Sequence, residues 1–220
     1  MDLVLFDLDN TLLAGDSDHE WGRFLIEKGI VDGPDFETKN DEFFRQYKAG
    51  ALDILRFLDF QLAPLAAHPR DQLDRWHAEF MDLKVRPMIG TPARKLVAQH
   101  IDKGSLCVIV TATNSFVTAP IAREFGVSHL IATELEELEG RFTGRPAGTP
   151  CFQAGKITCT EEWLARRSRR WEDFGATWFY SDSRNDLPLL ERVSRPIAVD
   201  PDDSLRALAG QRGWPVISLR

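Results

Sequence analysis

Two aspartates, Asp7 and Asp9, flank Leu8 directly after the apolar run Leu3, Val4, Leu5 and Phe6, and Asn10, Thr11 and Leu12 follow. In an extended backbone, residues two apart share a face. Both carboxylates can therefore look onto one site where that run ends. Like charges so close repel, and they are tolerated best when a cation lies between them or when one keeps its proton. Either state suits phosphoryl chemistry: one carboxylate attacks phosphorus, the other hands a proton to the leaving oxygen, and a hard divalent cation neutralises the phosphate. The same pair would also serve simply to start a turn.

Three other places carry residues of the same chemistry. The run 106–110 ends at Thr111, and Ala112, Thr113, Asn114 and Ser115 open the next helix. A hydroxyl and free amide donors there suit an anion, or an ordinary helix N-cap. The run 177–180 breaks into Ser181, Asp182, Ser183, Arg184, Asn185 and Asp186. Asp182 and Asp186 could add oxygen ligands beside the first pair, or could charge the first turn of a helix. Lys156 stands in Gly155-Lys156-Ile157 just before a Thr158-x-x-Glu161 capping box, and reads equally as a surface lysine.

The elements that must position these groups follow from the apolar pattern. Residues 3–6, 106–110, 177–180 and 196–199 are short continuous apolar runs, as expected of strands buried on both faces of a parallel sheet, with weaker candidates at 129–132 and 216–219. Helical patterns at 92–102, 115–125, 158–171, 187–193 and 204–211 lie between them. Alternation of this kind predicts an α/β fold, a doubly wound parallel sheet of Rossmann-like form with its site at the C-terminal strand ends.

Residues 14–86 interrupt the alternation. Ser17 and Glu20 read as a capping box, Trp21, Phe24 and Leu25 share a helical face, and Gly29 supplies a stop. Further stripes fall at Phe36, Phe43, Phe44 and Tyr47, at Leu55, Leu58, Leu62 and Leu65, and at Leu73, Trp76 and Phe80. The expectation is an all-helical module at 14–86 inserted into a core of 1–13 and 87–220, its aromatic stripes forming its own core.

Composition bounds the partners. The chain has 220 residues, 43% hydrophobic and 28% charged, enough for a real core. Its formal charge of −7 is the wrong sign for a general nucleic-acid binder. Cys107, Cys151 and Cys159 have no Cys-x-x-Cys spacing, so they read as buried thiols in a reducing compartment. No stretch approaches the roughly 20 apolar residues of a membrane span, and the N-terminus lacks signal-peptide features. A cytoplasmic protein with no nucleic-acid or membrane partner is expected; oligomeric state is not legible.

The motifs together resemble the haloacid dehalogenase superfamily, whose signature stands here as Phe6-Asp7-Leu8-Asp9-Asn10-Thr11-Leu12, Thr111-Ala112-Thr113, Lys156 and Ser181-Asp182-Ser183-Arg184-Asn185-Asp186. The match runs the length of the chain in the family's motif order. The helical insert resembles the subclass with a helical cap that includes the phosphoserine phosphatases. Ser181 departs from the glycine more usual in the fourth motif.

The resemblance implies a phosphomonoester hydrolase in which Asp7 is the nucleophile that forms an aspartyl-phosphate and Asp9 the general acid and base. It implies Mg2+ held by Asp7, the Asp9 backbone carbonyl and Asp182, with Asn185 and Asp186 in support. Thr111, Ala112 and Lys156 would bind the phosphoryl group. Asp9 itself argues against dehalogenation, because dehalogenases of the superfamily lack an acid there. A phosphotransferase or phosphomutase would keep the same residues. A phospho-accepting receiver domain, the reading from another class, places its acceptor in mid-chain and has no insert after the first strand.

For the ester, the resemblance sets Asp16, nine residues after Asp7, where phosphoserine phosphatases read the substrate ammonium; an acid there also suits a helix N-terminus. Asp59 falls where those enzymes hold the serine carboxylate with an arginine, and Arg56 lies one turn earlier. A carboxylate facing a carboxylate is repelled. The pattern points to a phosphorylated amino alcohol such as histidinol phosphate, with phosphoserine as the alternative. His19 stands at the cap entrance, where it could touch substrate. Arg141 and Arg145, in a Gly140–Gly144 turn of a small hairpin, read as surface, and Arg166, Arg167, Arg169 and Arg170 as the solvated end of a helix.

Overall fold

The computed structural model describes residues 1–220. Its main sheet has six strands, β1 (Leu3–Phe6), β2 (Leu106–Asn114), β3 (Leu130–Thr133), β6 (Thr177–Ser181), β7 (Arg195–Val199) and β8 (Val216–Ile217), in the order β3-β2-β1-β6-β7-β8. Every neighbouring pair is parallel. Helices α5 (Thr91–Asp102), α6 (Ser115–Glu124), α7 (Gly155–Ala165), α8 (Leu187–Arg192) and α9 (Asp203–Arg212) cross between the strands. All four residues of β1 are fully buried, as a strand covered on both faces must be. The chain leaves β1 for β2 and β3 on one side and returns to β6 on the other. Asp7, whose N–H donates to the Tyr180 carbonyl at 2.9 Å, thus sits at the topological switch point where such sheets bind ligands.

Four successive helices, α1 (Ser17–Glu27), α2 (Gly33–Lys48), α3 (Ile54–Ala67) and α4 (Arg70–Phe80), separate β1 from α5. Trp21 and Phe24 of α1 pack with Phe80 of α4, and Trp21 also meets Phe116 of α6 at 5.8 Å between ring centroids. Phe6, Trp21, Leu58 and Phe116 belong to one continuous apolar cluster. This rooting in the sheet's core fixes where the first turn of α1 lies. No helix is long and apolar enough to cross a membrane.

Several local expectations are corrected. The α1 N-cap is Asp16, not Ser17: its Oδ1 accepts from the N–H groups of Asp18 and His19, and Ser17 Oγ is buried without a partner. A carboxylate at that position satisfies two of the orphan amides at once. β2 runs on past Val110 to Asn114, its pairing with β3 interrupted between those residues, and Asn114 rather than Thr111 caps α6. α7 starts at Gly155, so Thr158 is interior to it, and the helix stops at Ala165, leaving Arg166, Arg167, Arg169 and Arg170 exposed beyond its end. The small hairpin pairs β4 (Leu135–Leu138) with β5 (Arg141–Pro146), turning at Glu139 and Gly140, both of positive φ. Arg141 to Gly144 therefore lie in a strand rather than in the turn, and Phe142 is buried.

The helical stripes are corrected too. Leu55 is exposed, and the buried face of α3 is Leu58, Gln61, Leu62, Pro64 and Leu65. α2 buries only Asn40. Phe43, Phe44 and Tyr47 line a cavity instead of filling a core, and Phe36 packs on Phe60 of α3.

Candidate active site

β1 ends at Phe6, and the chain then folds into a tight turn over residues 8–12 in which Asn10 takes a left-handed φ of 57°. Asparagine tolerates that region better than most side chains. The turn is fastened from outside, where the Arg220 guanidinium donates to the carbonyls of Asn10, Thr11 and Leu13. It brings three side chains into one buried place. Thr11 Oγ1 lies 3.0 Å from Asp7 Oδ2 and 3.1 Å from Asp182 Oδ1, and it also accepts from the Asp182 N–H at 3.0 Å. Thr11 thus joins the ends of β1 and β6. Its place in the first motif does not by itself mark it for that role.

Lys156 enters from the first turn of α7, 2% exposed, and donates to Asp7 Oδ1 and Asp186 Oδ2, each at 2.8 Å. Burial by itself would lower its pKa, but the carboxylates of Asp186 and Asp7 outweigh that and hold it above the ordinary value. Ser181 Oγ donates to Asp186 at 2.7 Å and accepts from the Ser183 N–H at 3.1 Å. Ser181 and Lys156 together hold Asp186 in place. Burial pushes the Asp186 carboxyl up to about 6 although Lys156 opposes it. Asp7 is raised by burial and by Asp9, against the pull of Lys156 and Thr11. Asp182 is raised well above the usual range by burial and by the charges of Asp7 and Asp186.

Asp9 turns the other way, towards the helices. Its Oδ1 accepts from the Ser17 N–H at 2.6 Å and its Oδ2 from Thr113 Oγ1 at 2.8 Å, with Thr111 Oγ1 further off at 3.4 Å. Burial and the neighbouring Asp16 push its carboxyl up to about 6. A carboxyl there can still carry a proton near neutral pH and can later take one back. The firm hydroxyl partner is Thr113, which the sequence signals only through strand alternation two residues on from Thr111.

A pocket opens over Asp7, Asp9, Thr111, Ala112 and Thr113. Its far wall carries Asp16, Asp18 and His19 of the α1 start, Asn40, Phe43, Phe44 and Tyr47 of α2, and Phe57 and Gln61 of α3. The His19 ring stacks on Phe44 with centroids 4.4 Å apart, and its Nε2 lies 2.9 Å from Asp41. Asn185 Nδ2 donates to the Tyr47 carbonyl at 3.0 Å, tying the β6 loop to the end of α2. Arg56 and Asp59 lie on the solvent face of α3 and do not line the pocket, and neither do Arg141 and Arg145. No three His, Cys, Asp or Glu side chains gather as a cation cage. The acidic donors that do meet, through Thr11, are Asp7 and Asp182.

The comparisons with known proteins agree with this geometry. The family model for haloacid dehalogenase-like hydrolases matches residues 4–191. A histidinol-phosphatase from Neisseria meningitidis is 45% identical over 219 residues, 99% of each chain. A solved protein of unknown function from Bordetella pertussis Tohama I superposes with a TM-score of 0.95 at 49% identity, covering 100% of this chain and 99% of its own. A substrate-bound phosphoserine phosphatase shares the fold, with a TM-score of 0.70 at 16% identity over 99% of this chain and 92% of its own. With the motif aspartates, Lys156 and Asp182 gathered at the switch point of a parallel sheet, these matches make the chain a member of the haloacid dehalogenase-like hydrolases and a phosphatase of small phosphate esters.

Proposed function

We propose that the protein hydrolyses histidinol phosphate or a closely similar phosphorylated amino alcohol through an aspartyl-phosphate on Asp7. The observation that carries the substrate is the make-up of the pocket: four carboxylates, aromatic rings and one histidine already paired with Asp41, and neither arginine nor lysine. A substrate carboxylate, as in phosphoserine, would meet no partner there and would be repelled. A cationic amine would be attracted, and the rings of Phe43, Tyr47 and Phe57 line the wall it would meet, Phe44 being already stacked on His19 with the Lys48 ammonium over its ring. The histidinol-phosphatase of Neisseria meningitidis supports the same reading.

In this mechanism an Asp7 oxygen attacks phosphorus while Asp9 gives its proton to the ester oxygen, so the P–O ester bond breaks and the neutral alcohol leaves. Asp9, now ionised, takes a proton from water as the water oxygen attacks phosphorus, and the Asp7–phosphorus bond breaks to release inorganic phosphate. The Thr111–Ala112 segment, which lines the pocket, and Lys156, which reaches the site through Asp7, would offset the charge of the phosphoryl oxygens through the transition state. Haloacid dehalogenase-like phosphatases generally use Mg2+, and the donor chemistry fits: two carboxylates that meet across Thr11, both raised by burial, form a hard oxygen set. Asp7, Asp182 and the Asp9 carbonyl would hold the ion, which would supply charge neutralisation at the phosphate. Residues 14–86 would act as a helical cap over a core of 1–13 and 87–220.

The test is kinetic. Purified protein with Mg2+ should give a larger kcat/KM for histidinol phosphate than for phosphoserine, and Asp7→Asn should abolish both activities while leaving the fold intact. Faster turnover of phosphoserine would overturn the substrate; an active Asp7→Asn variant would overturn the nucleophile.

A further inference from the structure

The first turn of α1 carries two aspartates, and the structure gives them different work. Asp16 is occupied as the N-cap, its Oδ1 accepting from Asp18 N–H at 3.1 Å and from His19 N–H at 2.9 Å. Asp18 is 6% exposed, lines the pocket, and its buried Oδ1 has no hydrogen-bond partner. Gln61 reaches the same wall from α3, 2% exposed. Its amide nitrogen donates to the Asp18 backbone carbonyl at 3.3 Å and to Asn40 Oδ1 at 3.4 Å, and its Oε1 is buried and unpartnered. Two acceptors on neighbouring helices thus stand unsatisfied in one pocket. Buried acceptors in that condition are uncommon in folded proteins and ask for a donor.

Their place relative to the chemistry is also fixed. The Ser17 N–H donates to Asp9 at 2.6 Å, and Asp18 is the next residue. Asp9 protonates the departing oxygen, so the leaving alcohol lies on the side of the site from which Asp18 is reached. The charges of Asp16 and Asp9 both bear on Asp18, adding to the effect of its burial. A cation seated there would relieve that repulsion as well as fill the two empty acceptor positions.

We propose that Asp18, with Gln61 Oε1, is the seat of the substrate's ammonium group, and that Asp16 serves the helix cap instead. This rests on the reading of the substrate as a phosphorylated amino alcohol and says which side chains recognise it. Asn would keep the shape of Asp18 while removing its charge, and Asp16→Asn would keep the cap, since the two residues are nearly equivalent there.

The experiment compares 2-aminoethyl phosphate with ethyl phosphate, which differ only by the amine, and adds histidinol phosphate. Wild type should prefer the amine. Asp18→Asn should lower the kcat/KM ratio of amine to neutral ester at least tenfold, mainly through KM for the amine, with a circular dichroism spectrum matching wild type as the control for folding; a lost charge-assisted hydrogen bond is of this size. Gln61→Leu should lower the ratio several-fold, and Asp16→Asn should lower it by less than Asp18→Asn does. The inference is overturned if wild type shows no preference for the amine, if Asp18→Asn depresses both esters equally, or if Asp16→Asn removes the preference. Poor turnover of histidinol phosphate alongside an Asp18-dependent preference for 2-aminoethyl phosphate would sink the named substrate and leave the ammonium seat standing.

Discussion

Replacing Lys156 by methionine tests the charge arrangement at the heart of the site. Methionine keeps the buried apolar stem and removes the ammonium that stands 2.8 Å from both Asp7 and Asp186. Deleting one partner of a buried pair leaves uncompensated charge and costs about 3–5 kcal/mol. For 220 residues the unfolding entropy is about 0.46 kcal/mol per degree, so the melting temperature should fall by about 6–11 °C. Asp186 is already pushed up to about 6 with the lysine present, and losing the lysine raises it further. The penalty should therefore be largest near pH 8, where both carboxylates are charged in the variant's folded state or bind protons only at a cost. It should shrink as pH falls through about 6 and Asp186 is protonated in both proteins. Calorimetric melting of wild type and Lys156→Met at pH 8 and pH 5, in chelator, measures this. A loss under 2 °C at pH 8, or a larger loss at pH 5, would refute the account of Lys156 as the compensating charge.

Asp9→Asn should lower kcat by about 10²–10⁴ for alkyl phosphates and much less for p-nitrophenyl phosphate, whose leaving group needs no proton; equal losses for both would remove Asp9 from the acid role. Activity should disappear in chelator, return with Mg2+, and fall when excess Ca2+ competes, because its looser and larger shell suits the in-line geometry less well; turnover that persists in chelator would count against the ion. Asp18→Asn should be more stable than wild type at pH 8, because it takes a charge out of a buried position crowded by Asp16 and Asp9. Burial raises the folded pKa of Asp18 above its unfolded value, so its charge costs stability at high pH and the cost vanishes below the unfolded carboxylate range. Melting curves from pH 8 down to pH 4 should show the gain closing, and a gain that widens in acid would contradict it.

The sheet was legible because parallel strands buried on both faces read as short apolar runs ending abruptly in polar residues, as Phe6 gives way to Asp7 and Tyr180 to Ser181. Helix starts were less legible where the capping oxygen and its neighbour are both good caps. Asp16 and Ser17 differ little in propensity, and the choice falls to tertiary structure, which holds the Ser17 N–H on Asp9. The same limit applies to α2. Its phenylalanines repeat at helical spacing whether they face a core or a cavity, and periodicity reports only the shared face. Gln61 gave no signal at all, because a single polar residue in the apolar stretch Leu58, Leu62 and Leu65 becomes informative only when α1 is seen to lie against it.

The distribution of charge gives the two ends of the cavity different chemistry. Asp7, Asp9, Asp16, Asp18, Asp182 and Asp186 are all raised by burial, and one buried lysine stands among them. Lys156 answers Asp7 and Asp186 directly. Asp9 is answered by an amide and a hydroxyl, and Asp16 by two amides. Two acids have no cation in direct contact: Asp182, held beside Asp7 by a Thr11 hydroxyl, and Asp18, whose buried oxygen is unpartnered beside Gln61. A hard cation suits the first, where carboxylate and carbonyl oxygens supply a shell, and an ammonium suits the second, where two single acceptors face aromatic walls. The phosphorus of an amino alcohol phosphate would lie between these ends, over Asp7, with its ester oxygen towards Asp9. On that reading the acids at the two ends would orient the ester between them.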